Sequence, residues 1–205
     1  MSTDFHSLAL LQTAHNAPPE FTSAEQVFEY HDEFLYRESD EGVIDYVLTS
    51  SRRDWLKWAV ERLCSASAVP NLSFLYGSPA VHFKDAFAQS VAGLGEWCVW
   101  RSHVIVPDDL EKPIESISML FEWSRNNVAD IASDEFMGTF ASEGEILNAI
   151  EQPTLTREPT FDDRVGSDDG DGPWCLYSFL VSMQQLMRNA RQRDVPLRYL
   201  VQVPR

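Results

Sequence analysis

Three cysteines, five histidines and 32 acidic residues are the side chains of this 205-residue chain that support nucleophilic, acid–base or metal chemistry. Cys98 and His103 are the closest nucleophile–base pair on one predicted element. Their odd separation sends the two side chains to opposite faces of a strand, so they do not pair. Ser78 stands in Tyr76-Gly77-Ser78-Pro79, which lacks the second glycine of a nucleophile elbow. Pro79 also removes an N–H that an oxyanion hole would use, and His82 follows without a third member of a triad. His6, His15, His31, His82 and His103 are isolated, with no His-x-x-x-His or Cys-x-x-Cys spacing to hold a transition metal. Glu29, His31, Asp32 and Glu33 are neighbours in sequence but point in different directions around a helix. Counted from Asp169, the acidic run Ser167–Gly172 puts Pro173 and Trp174 where a calcium loop needs an oxygen ligand and then glycine. Gly93-x-Gly95 leads into a strand rather than a helix, so no phosphate cradle forms. Spacing along the chain singles out no glycosidase-type carboxylate pair among so many acids. The sequence names no catalytic residue, no cofactor and no metal site.

Charge carries more information. Of the formal net charge of −16, the first fifty residues hold ten acids against one base, Arg37. Glu25, Glu29, Asp32, Glu33, Asp40 and Glu41 are interleaved there with Phe28, Tyr30, Phe34 and Tyr36. An acidic surface bearing aromatics suits a basic protein partner, because charge steers the encounter and rings anchor the contact. Glu25, Glu29, Tyr30, Asp32, Glu33, Tyr36, Asp40 and Glu41 are therefore the candidate partner-binding residues. Asp162, Asp163, Asp168, Asp169 and Asp171 form a secondary acidic loop. The same charge disfavours direct contact with nucleic acid, since each phosphate would be met by a repulsive field. Solubility alone explains acidity in many proteins. Arg188, Arg191, Arg193, Arg198 and Arg205 also crowd the C-terminal end. They could meet the acidic front within the fold or between copies, covering part of it.

The elements that must carry these residues follow from periodicity and punctuation. Residues 4–14 read as a short helix stopped before Pro18-Pro19. Thr22 or Ser23 opens a helix with Glu25 or Gln26 as capping-box partner, Ala24, Phe28, His31 and Leu35 as its apolar stripe and Glu25, Glu29 and Glu33 along another side. Val43, Ile44, Val47 and Leu48 fit a helix by spacing and a strand by β-branching. A helix from Ser51 to about Cys64 turns Leu56, Ala59, Val60 and Leu63 inward. Residues 72–76 read as a strand, residues 80–92 as a helix closed by Gly93 and Gly95, and residues 97–106 as the best strand. Pro113 starts a helix to about Ala132, with Ile117, Phe121, Val128 and Ile131 inward and Met119 and Trp123 on a second face. A further helix covers Glu143–Ile150. Residues 153–173 are an acidic flexible loop with six acids against two arginines. Leu176, Phe179, Leu180, Met183, Met187 and Ala190 then mark a helix whose basic end complements its dipole, and residues 197–203 close the chain as a strand.

These elements predict an α+β protein: one mainly helical domain over residues 1–205, with a small sheet from the strands near 72–76, 97–106 and 197–203. The hydrophobic content of 44% is ample for a core. No apolar stretch approaches the ~20 residues of a membrane span, and the first residues lack the basic and apolar regions of a secretory signal. Cys64, Cys98 and Cys175 are far apart in apolar surroundings and read as reduced core residues of a cytoplasmic protein. Three functions remain, in this order. The first is an acidic intracellular protein that blocks a basic functional surface of a partner, as an inhibitor or immunity-type protein does. The second is a small enzyme, such as a hydrolase, whose site only the fold assembles. The third is a nucleic-acid mimic that blocks a DNA-binding protein.

Overall fold

Phe5–Leu11 is apolar at almost every position, which suits a strand buried on both faces as well as a helix. It is a strand. A computed structural model describes residues 5–13, 24–35, 43–51, 55–76, 89–92, 98–133, 141–159 and 172–204. The elements in chain order are β1 (Phe5–Leu11), α1 (Ala24–Leu35), β2 (Tyr46–Ser51), α2 (Trp55–Ser67), β3 (Gln89–Ala92) and β4 (Cys98–Ile105). They continue with α3 (Glu111–Asn126), α4 (Val128–Ser133), α5 (Glu143–Glu151), α6 (Pro173–Arg193) and β5 (Leu197–Pro204). The strands form one antiparallel five-stranded sheet in the order β2-β1-β5-β4-β3, so the first and last strands pair at its centre. The α+β class is as expected, with a larger sheet.

The side chains alternate across this sheet. Phe5, Ala9 and Leu11 of β1, Val47 of β2 and Leu197, Tyr199 and Val201 of β5 enter the larger core, which α2 to α6 cover. Leu8, Leu10, Tyr46, Leu48 and Leu200 point the other way and meet Val27 and Phe34 of α1. Burial on both faces erases the polar–apolar alternation of a one-sided strand. That is why residues 4–14 read as a helix, and why residues 43–48 stayed ambiguous before resolving as β2.

Three further expectations are corrected. Residues 72–76 are not a strand: Ser73–Tyr76 is a 3-10 turn, with the Leu75 N–H donating to the Leu72 carbonyl at 3.0 Å. The Leu75 carbonyl accepts from the Tyr199 hydroxyl at 2.8 Å, so the buried turn needs no ladder partner. Within the expected helix 80–92, residues 89–92 are β3 and pair with β4, while residues 80–88 lie outside the described residues. The expected single helix from Pro113 to Ala132 starts at Glu111 and is split at Asn127, whose φ of −129° leaves the helical region. The Asn127 side chain donates to the Trp123 carbonyl at 2.7 Å, a local bond that competes with helix continuation. Ile117, Phe121 and Ile131 are buried, whereas Val128 is half-buried and Met119 exposed.

The strongest patterns held. β4 and β5 fall where β-branched and aromatic residues predicted strands, and all six apolar positions named for the last helix are buried in α6. Its end is set by Asp194, left-handed at φ 53°, while Arg191 and Arg193 lie in the last turn. Ser142 and Glu145 cap α5 reciprocally. Gln184 ties α6 to α3 by donating to the Ile114 carbonyl at 2.8 Å.

Residues 153–159 strap the outside of β2 to α6. The Thr154 and Thr156 N–H groups donate to the Ser178 and Ser182 hydroxyls, both at 3.0 Å. The Arg157 carbonyl accepts from the Leu48 N–H at 2.7 Å, covering part of an edge strand. Its guanidinium pairs with Asp45 at 3.0 Å and lies 5.1 Å over the Tyr46 ring. Ser182→Ala leaves the Thr156 N–H without this partner and is expected to cost about 1–3 kcal/mol, read as a lower urea midpoint. Cys64 and Cys175 are buried thiols outside any disulfide, and burial with the charge of Glu61 pushes the Cys64 thiol up to about 12. Native protein should therefore react slowly with a thiol reagent at both positions, and unfolding should abolish the protection.

Candidate functional site

The described buried stripe of α1 is Val27, His31 and Phe34, spaced i, i+4 and i+7. Phe34 stacks edge-on against Tyr46 at 5.0 Å and accepts the Tyr46 hydroxyl on its carbonyl at 3.3 Å. Tyr30 packs edge-on against Phe34 at 5.3 Å and is half-buried, with its hydroxyl end in the field of Arg198. Across the helix, Glu29, Asp32 and Glu33 are exposed. Asp32 and Glu33 lie i+3 and i+4 from Glu29, so the three carboxylates share one outer side and repel each other by a few tenths of a kcal/mol per pair.

His31 is only 2% exposed. Its ring meets His6 of β1 edge-on at 5.6 Å, and its Nδ1 lies 3.2 Å from the Asp32 carboxylate. Burial lowers the His31 pKa below the ordinary histidine value, against the raising effects of Asp32 and the Thr49 backbone. A histidine on an apolar stripe was legible in the sequence. Its histidine neighbour was not, because His6 reaches it from a strand that read as a helix.

The expected binding residues divide accordingly. Glu29, Tyr30, Asp32 and Glu33 come together on α1. Glu25 belongs to the same helix but its side chain, like those of Phe28 and Leu35, lies outside the described residues. Tyr36, Asp40 and Glu41 also lie outside them, as do Asp162, Asp163, Asp168, Asp169 and Asp171. Ser78 and His82 do too. His103 turns into the larger core beside Tyr199, with ring centroids 6.5 Å apart.

The arginine-rich end is placed apart from the acidic row. Arg188, Arg191 and Arg193 are exposed on α6, which packs against the opposite face of the sheet from α1. Arg191 lies 3.7 Å from Glu111, an exposed pair worth little to stability. Arg198 is on the α1 side and donates to the Ser102 hydroxyl at 2.7 Å. Asp45 is the one N-terminal acid with a described arginine ion pair, to Arg157.

Among the described residues, no group of three or more His, Cys, Asp or Glu side chains converges to hold a metal ion. No described helix is long and apolar enough to cross a membrane. Phe34→Ala should remove about 3–5 kcal/mol of the packing that docks α1. The expected result is loss of amide protection across residues 24–35 with protection of α6 retained, measured by hydrogen exchange. No family model matches the chain, and no curated protein or solved structure matches it either.

Proposed function

We propose that the protein is an acidic binding protein of the cytoplasm that blocks a basic functional surface of another protein, as an inhibitor or immunity-type protein does. The observation that carries the reading is the shared exposure of Glu29, Asp32 and Glu33 on the outer side of α1, across the sheet from the α6 arginines. Carboxylates held on a docked helix project a fixed negative field, which accelerates encounter with a basic surface. Tyr30, braced by Phe34, supplies a ring already restricted in motion, so less side-chain entropy is lost when a partner packs on it. Glu25, Tyr36, Asp40 and Glu41 are the further candidate partner-binding residues of this reading. The buried thiols of Cys64 and Cys175, outside any disulfide, fit a reducing compartment.

The experiment reverses Glu29, Asp32 and Glu33 to lysine together and uses wild type and variant as parallel baits in the native cell extract. A basic protein should be retained by wild type and lost by the variant, and the purified pair should lose affinity as salt rises. Thermal stability should stay within about 0.5 kcal/mol for each exposed substitution. Association of the variant should slow by about tenfold or more at low salt. Equal affinity and equal salt dependence for the two baits would overturn the reading.

A further inference from the structure

We infer that His31 and His6 form a proton-sensitive latch that holds α1, and with it the acidic row, against the sheet. The latch regulates the surface proposed above and rests on that reading for its functional meaning. Its geometry stands by itself. The described side chains that bury α1 on its sheet face are few, Val27, Phe34 and His31, with Tyr30 partly buried. The opposite face is held by α2 to α6. Among the described residues, His31 is the buried polar side chain on the face that α1 turns to the sheet.

The groups around His31 decide what a proton does there. On α1, Asp32 faces Nδ1 from an exposed position, while Glu29 and Glu33 point to solvent. From β1, His6 presents its ring at 5.6 Å. β2 contributes the Thr49 backbone, the phenol of Tyr46, and Asp45, which Arg157 engages. On β5 the cation is Arg198, near Tyr30, while the described β4 side chains on this face, Ser102 and Val104, are uncharged. A proton on His31 thus creates a charge in a site 2% exposed, where the solvated Asp32 carboxylate and the Thr49 backbone favour it and burial opposes it.

The sign follows from linkage. Burial lowers the His31 pKa in the docked state, whereas an undocked helix exposes the ring to water at its ordinary value of about 6.5. Between those values the undocked state binds more protons. Docking is therefore at full strength above pH ~6.5 and weakens as pH falls below it, by up to about tenfold per pH unit until the docked ring also protonates.

Hydrogen exchange on the full chain at pH 7.5 and 5.5, normalised for the chemical exchange rate, reads this directly. Protection across residues 24–35 should fall about tenfold relative to residues 173–193, and His31→Gln should remove that pH dependence. A uniform loss in α1 and α6 would mean global acid unfolding and would overturn the latch. So would unchanged protection of α1. Because His31→Gln can undock α1 at every pH, the wild-type His31 ring is also titrated by NMR. A midpoint below 6.5 supports the latch, and one at or above 6.5 overturns it. Neither measurement involves a partner, so its failure leaves the acidic-surface reading intact. Failure of the triple lysine variant to change binding would in turn leave the latch intact.

Discussion

Phe5, Ala9 and Leu11 leave β1 on one side while Leu8 and Leu10 leave it on the other, and β5 repeats the arrangement with Tyr199 and Leu200. A central strand pair that carries large apolar side chains on both faces cannot leave either face in water, so two covers are required. Most of the chain forms one of them. α6 is the main piece, a helix of 21 residues with side chains buried around much of its circumference, clasped by α2, α3 and α5. The other cover is α1, laid across β2, β1 and β5 through Val27, His31 and Phe34.

That asymmetry governs the electrostatics. A helix buried among other helices has little room for charge, and the described polar groups of α6 are largely committed. Ser178 and Ser182 hold the strap, Gln184 reaches α3, and Asn189 donates to the Ile44 carbonyl at 2.7 Å. On α1 the side away from the sheet carries Glu29, Asp32 and Glu33 exposed, where charge is borne at low cost. The row is thus compatible with the fold without being needed by it. The same placement makes His31 consequential, since its burial depends on α1 lying against the sheet.

Exposed Glu29, Asp32 and Glu33, together with β4, β5, α2, α5 and α6, were legible in the sequence because each declares itself within one element. The described stripe of α1, by contrast, is Val27, His31 and Phe34 and shares only His31 with the expected set, since the side chains of Ala24, Phe28 and Leu35 lie outside the described residues. Leu56, Ala59, Val60 and Leu63 repeat at helical spacing, and Val99, Trp100, Val104 and Ile105 are strand-forming residues between turn signals. β1 and the turn at Ser73–Tyr76 were not legible, for different reasons. β1 is buried on two sides and so loses its alternation. The run Leu72–Tyr76 is short enough that apolar content alone cannot separate a strand from a 3-10 turn.

Composition and local periodicity by themselves determined the charge polarity of this protein, its α+β class and the helix that displays Glu29, Asp32 and Glu33, because those properties depend on residues near one another in the chain. Only the tertiary structure decided that β1 and β5 pair, that the α6 arginines lie across the sheet from the acids, and that His6 meets His31. Each of these joins segments far apart in sequence. Their meeting is set by which apolar faces must be covered together, and no local pattern encodes that.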